Sequence, residues 1–166
     1  LASSAASDVY KRQFSENADG FVPGDGGGIV LLKDYDASIR DKNHIYAVIL
    51  GSALGGDGNK KIGFTAPSVE GERKTILKAW ETAAITAEDI NYVEAHGTAT
   101  MLGDEIEAEA LGQAAAGRSK PLLIGSAKSN LGHLNIAAGV AGFIKTSLML
   151  DNNCIFPTIN LSLIHI

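Results

Sequence analysis

Two histidines and a lysine are the residues of this sequence whose types and places could do chemistry. His96 directly follows a short run with strand character, residues 91–95. His133 stands in the loop after a second such run, residues 122–127, and Lys128 opens that loop. If the two runs are neighbouring parallel strands, both imidazoles fall at their carboxyl ends, where ligands gather in α/β sheets. His133 also precedes a helical segment, and the positive end of a helix dipole favours the neutral imidazole there. A neutral imidazole can donate an N–H to an oxygen that gains negative charge without being a strong acid. A Lys128 ammonium close by acts in the same direction. Taken singly, either histidine also fits a satisfied structural role; two at strand ends with a lysine between them favour the chemical one.

Other groups are less well placed. Gly24-Asp25-Gly26-Gly27-Gly28 invites a phosphate-binding reading, but a strand is expected after it, so the helix N-terminal amides that hold a phosphate are missing. A tight turn into that strand is expected instead. Asp104, Glu107 and Glu109 suit a helix start, with Asp104 as N-cap and Glu107 at the third helical position, and no metal site is expected among them. His44 lies in a charged loop and reads as solvated. Cys154 has neither a histidine near it in sequence nor a helix N-terminus to favour a thiolate, which makes it a poor nucleophile.

The elements that must position these groups follow from the apolar patterning. Residues 28–33 and 45–52 are continuous and β-branched, as strands covered on both faces are, and the polar stretch 34–43 connects them. Residues 68–84 place Ile76, Trp80 and Ala84 at i, i+4 spacing, with Leu77 beside them and Glu72, Arg73, Lys78 and Glu81 opposite, which predicts an amphipathic surface helix. Strand 91–95, helix 104–116 with Gly117 just past it, strand 122–127 and a helix over about 135–150 complete an alternating α/β order with parallel pairing. The last helix is apolar on almost every side, with Gly139 and Gly142 open to another backbone, and is expected between two layers.

The chain has 166 residues, 45% apolar and 20% charged, enough hydrophobic surface for one domain or part of one. A net charge of −5 without a basic run disfavours nucleic acid and anionic membrane surfaces as partners. The longest apolar or glycine stretch, residues 136–144, is far short of the roughly 20 residues of a transmembrane helix. A single Cys offers no internal disulfide, which fits a cytoplasmic protein. The hexapeptides at residues 8–13 and 161–166 can be encoded by DNA segments that are reverse complements of each other, and the pair resembles a transposon end used as a sequencing adaptor. Residues 1–13 and 161–166 are therefore expected to be adaptor translation, His165 included, with 14–160 as a partial domain.

Val93-Glu94-Ala95-His96-Gly97-Thr98-Ala99-Thr100, Leu102-Gly103-Asp104, Ser126-Ala127-Lys128-Ser129-Asn130-Leu131-Gly132-His133 and Ala138-Gly139-Val140-Ala141-Gly142 occur in order and with ordinary spacing. Together with Thr65-Ala66-Pro67-Ser68 and Ala18-Asp19-Gly20-Phe21-Val22, they resemble the ketosynthase domain of modular polyketide synthases, a beta-ketoacyl synthase. The resemblance implies a thiolase-like layered αβαβα fold, incomplete here, with the end of the first half and most of the second. It implies a homodimer whose nucleophilic Cys lies upstream, so that this segment alone is inactive. It also implies decarboxylative Claisen condensation of an acyl thioester with malonyl-acyl carrier protein, in polyketide or fatty acid biosynthesis. The substrates ride on the phosphopantetheine of that carrier, and no cofactor is bound by the segment itself. His96 and His133 match the family's catalytic histidines, Lys128 its charge-holding lysine, and Thr98 and Thr100 the threonines lining the phosphopantetheine arm. Three positions depart from the family: Ala99 replaces a Gly, which would strain a positive φ; Glu105 replaces a Pro at the first helical turn; Asn135 replaces an acidic residue that would pair with Lys128. The alternative is a non-elongating ketosynthase that binds or relays acyl chains; such domains often lack the second histidine, and His133 is present.

Overall fold

The computed structural model describes residues 13, 14, 18, 20–56 and 67–159. The expectations for Thr65, Ala66, Asp19, His165 and the two chain ends fall outside these residues, apart from Gln13. That residue is buried, and neither amide atom has a hydrogen-bond partner.

In chain order the helices are α1 (Tyr35–Arg40), α2 (Val69–Ala83), α3 (Met101–Ala114), α4 (Lys128–Leu131) and α5 (Ala138–Asp151), with 3-10 turns at Ala87–Asp89 and Asn135–Ala137. The strands β1 (Tyr92–Glu94) and β2 (Leu123–Gly125) pair in parallel, Tyr92 opposite Leu123 and Glu94 opposite Gly125. The predicted strand–helix–strand–helix order is therefore present. β1 enters α3 through residues 95–100, α3 returns the chain to β2, and β2 runs through α4 into α5. Each strand's carboxyl end opens into one of the loops that bear the histidines.

Packing explains the arrangement of α2 and α3. Ile106, Ala110, Leu111 and Ala114 recur at helical spacing on α3 and are buried, and α2 lies against α3. Burying a side chain such as Ile106 stabilises by about 1.5–3 kcal/mol. α2 starts where expected, with Ser68 Oγ accepting the Gly71 N–H at 3.3 Å, and it closes on Ala84 in the left-handed region, φ +55°. Ile76 and Trp80 are half-buried, whereas Leu77 and Ala84 are exposed.

Four expectations are corrected. First, residues 28–33 and 45–52 join no ladder among the described residues. Ile29, Leu31 and Leu50 are exposed, so the cover that both-face burial requires is not present around them. Second, α3 starts at Met101 with Thr100 as N-cap, not at Asp104; Asp104 lies buried in the first turn and Glu105 in the second. Third, α5 is covered on one side only. Gly142 and Met149 are buried, while Ile136 ahead of it and Phe143, Leu148 and Leu150 on it are exposed.

Fourth, the Gly24–Gly28 segment forms no turn and has no positive φ. Its glycines serve close approach: a Cβ on Gly24 would collide with the Leu131 carbonyl oxygen, and one on Gly28 would meet Ile144 Cδ1 at 2.9 Å. The Gly24 N–H donates to the His133 carbonyl at 3.1 Å, and the His133 N–H donates to the Val22 carbonyl at 2.8 Å. Residues 22–24 thus hold the backbone of the second histidine. Gly24→Ala is expected to cost about 1–3 kcal/mol, because the obstructing atom belongs to backbone rather than to a side chain that can swing away. Chemical denaturation of the domain containing this segment measures that loss, and unchanged stability would refute the contact.

Candidate active site

The two imidazoles meet. The His96 and His133 ring centroids are 5.4 Å apart at an interplanar angle of 85°, and Phe21 packs edge-on against His133 at 5.2 Å. Each ring has its Nδ1 engaged. His133 Nδ1 accepts the Asn135 N–H at 3.0 Å, and His96 Nδ1 lies 3.3 Å from Lys128 Nζ, which as an ammonium can only donate. With Nδ1 accepting, the proton of each neutral imidazole resides on Nε2. A neutral His133 ring is therefore the tautomer protonated at Nε2, and a neutral His96 ring is the same where Lys128 is an ammonium.

Asn135 contributes through its backbone, at φ +52°, a conformation asparagine tolerates better than most residues. In place of the acidic partner expected at that position, Glu107, Glu94 and Asp104 favour the charged form of Lys128. Burial acts more strongly and holds the lysine below its ordinary value. Lys128 Nζ also donates to the His96 carbonyl at 2.5 Å, so one buried cation ties α4 to the first histidine through both ring and backbone.

Glu107 and Asp104 do different work from the capping expected of them. Glu107 accepts the His96 N–H at 2.6 Å with one oxygen and the Gly97 N–H at 2.8 Å with the other. Asp104 accepts from the Phe14 N–H at 2.7 Å and the Ala99 N–H at 3.1 Å. Together they clamp the loop that follows β1. Burial raises both carboxyls above their ordinary values, opposed by these amide donors. The clamp explains Ala99, which is fully buried at φ +61°, the strained conformation expected there. Thr98 and Thr100 are also brought together, their hydroxyls 2.9 Å apart; Thr100 makes no side-chain cap to α3.

A cleft of about 420 Å³ opens beside this group, walled by His96, Lys128, Leu131, Gly132 and the small face of α5 at Ala138 and Gly142. His133 does not line it, but its ring meets that of His96. Cys154 is exposed at the far end of α5. His44 is not merely solvated: its Nε2 lies 2.8 Å from Asp151 Oδ1. Among the described residues no cluster of His, Cys, Asp or Glu is arranged to hold a metal, and no helix is long and apolar enough to cross a membrane. Sequence reasoning missed Glu94 and Lys145, an ion pair at 2.8 Å between β1 and α5. The available signal was a lone lysine on a helix otherwise almost wholly apolar.

The parallel strands β1 and β2 thus bring His96, His133 and the buried Lys128 to one point. Residues 46–162 match the family described as Beta-ketoacyl synthase, C-terminal domain, and the chain belongs to that family. It is 42% identical over 158 residues to Polyketide synthase PksN of Bacillus subtilis (strain 168), covering 93% of this chain and 3% of that protein. It is 47% identical over 150 residues to a phenolphthiocerol/phthiocerol polyketide synthase protein of Mycobacterium tuberculosis (strain ATCC 25618 / H37Rv), covering 88% and 8%. It superposes on the ketosynthase from module 1 of the bacillaene synthase from Bacillus amyloliquefaciens FZB42 with a TM-score of 0.89 and 44% identity, covering 95% of this chain and 31% of that one. The fold is thus the thiolase-like layered α/β fold, present in part. The chain spans under a tenth of these curated relatives and about a third of the solved ketosynthase.

Proposed function

We propose that this chain is the histidine-bearing part of a ketosynthase that performs decarboxylative Claisen condensation between an enzyme-bound acyl group and malonyl-acyl carrier protein. The observation that carries the reading is the pair of imidazoles at 5.4 Å, with the Asn135 N–H on one Nδ1 and Lys128 Nζ beside the other, an arrangement that suits donation from Nε2. The reaction calls for such donors. When the malonyl C–C bond breaks and carbon dioxide leaves, the electron pair moves onto the thioester oxygen as an enolate. The enolate carbon then attacks the acyl thioester, forming a new C–C bond and releasing the thiolate that had held the acyl group. Donors fixed before the charge appears stabilise it without reorganising.

Lys128 holds the His96 ring and carbonyl, while Thr98 and Thr100 offer hydroxyls where the phosphopantetheine arm of the carrier would pass. The nucleophilic Cys, by family resemblance, lies upstream of these residues; Cys154 is exposed past the end of α5. The acyl carrier protein is the proposed partner, within a homodimeric ketosynthase. The domain containing this segment is tested by supplying an acyl donor and malonyl-acyl carrier protein. Carbon dioxide release with a 3-oxoacyl product is expected; acylation without either would identify the non-elongating relay instead.

A further inference from the structure

Three polar side chains converge between β1, β2 and α5, with Glu94 lining the same cleft as His96 and Lys128. Glu94 Oε2 accepts from the Tyr92 hydroxyl at 2.6 Å and from Lys145 Nζ at 2.8 Å, and Lys145 also donates to the Tyr92 oxygen at 3.0 Å. The Lys145 and Glu94 side chains are only 11% and 12% exposed. The other carboxylate oxygen, Oε1, accepts the Ala127 N–H. α5 passes so close that a Cβ on Gly142 would lie 3.0 Å from Glu94 Cγ.

Position in the chain gives this cluster its meaning. Glu94 lies two residues before His96, and Ala127 immediately precedes Lys128. A single carboxylate therefore joins the end of β1 to the turn that carries the lysine, while α5 supplies the countercharge. Stability alone does not require such an arrangement, since a buried ion pair is often no better than apolar residues of the same volume. What it adds is direction, because a charge-assisted hydrogen bond is short and oriented.

We propose that Glu94, braced by Lys145, is a positioning residue of the condensing site, a strut that sets the spacing between the loop of His96 and the turn of Lys128. The assignment rests on the condensing reading above. Its test uses the complete ketosynthase domain. Glu94→Asp keeps the charge facing Lys145 but draws the acceptor back from Ala127 by one methylene. Its melting temperature is expected to stay near the parent's while kcat for carbon dioxide release falls about 10- to 100-fold, the usual effect of misplacing a reacting group by about 1 Å. KM for malonyl-acyl carrier protein is expected to change little.

The double variant Glu94→Gln with Lys145→Met removes both charges but leaves an amide oxygen for Ala127, and it is expected to recover most of kcat. Parental kcat in Glu94→Asp overturns the strut, and so does a loss in the double variant as deep as in the single one. Independently of any variant, the Ala127 amide of the parent domain should exchange hydrogen slowly; exchange at the rate of an exposed amide overturns the strut as well. An inactive parent domain with a protected Ala127 amide instead leaves the strut standing and refutes the condensing reading.

Discussion

Replacing His133 by alanine in the complete ketosynthase domain is expected to slow condensation by about 10²–10³, equivalent to about 3–4 kcal/mol of lost charge stabilisation. The expectation follows from its tautomer: with the Asn135 N–H held on Nδ1, a neutral His133 ring carries its proton on Nε2, and on the proposed reading that N–H donates to the oxygen that becomes an enolate. His96→Ala should cost a similar factor. Because the two rings touch and, on the proposed reading, serve one oxygen, removing both should cost less than the product of the single effects. His133→Asn, which restores an N–H donor at shorter reach, should recover part of the rate. The measurement is carbon dioxide release from malonyl-acyl carrier protein, with acylation of the nucleophile followed separately. A His133→Ala domain that released carbon dioxide at the parental rate would remove the histidine from the reaction.

Glu107→Ala should be the most disruptive change among the residues that hold the site. Both carboxylate oxygens are occupied by backbone donors, the N–H groups of His96 and Gly97, and hydrogen bonds to charged groups contribute about 1.5–3 kcal/mol each. Losing both predicts a destabilisation of about 3–6 kcal/mol. Condensation should also fall, because the backbone of His96 would no longer be fixed. Glu107→Gln keeps one acceptor and should lie between parent and alanine variant.

The pH dependence separates charge from hydrogen bonding. Burial raises Glu107 above its ordinary 4.5, so the folded state holds its proton more tightly than the unfolded chain does. The resulting stability is complete below that ordinary value and is lost as pH rises through the raised one. Glu107→Gln removes this slope, and denaturation midpoints across the acidic range would reveal whether it does.

Much of the site was legible because its signals are local. His96 and His133 each follow a short apolar run, and two such runs separated by a helix pair in parallel, which brings their carboxyl ends together. The strain at Ala99 was equally legible, as a side chain where a backbone of positive φ is needed. The helix start differs from the expectation because Asp104 and Glu107 have the spacing of a cap box, and that spacing also suits two carboxylates reaching back to a preceding loop. Thr100, the true N-cap, spends its hydroxyl on Thr98. The runs at 28–33 and 45–52 carry strong strand composition, yet a ladder needs a partner, and partners are long-range facts that composition does not contain. Glu94 carries no local signal of its role, because its partner Lys145 lies 51 positions away.

Those unpaired runs have a practical side. Ile29 at 97%, Leu31 at 94% and Leu50 at 64% exposure, together with a cleft of about 820 Å³ between these runs and α5, leave a broad greasy surface wet. A polypeptide cut to this length would bury that surface in copies of itself, so recombinant production of the segment alone would yield precipitate or chaperone-bound material. Soluble preparations therefore call for boundaries drawn around the whole ketosynthase.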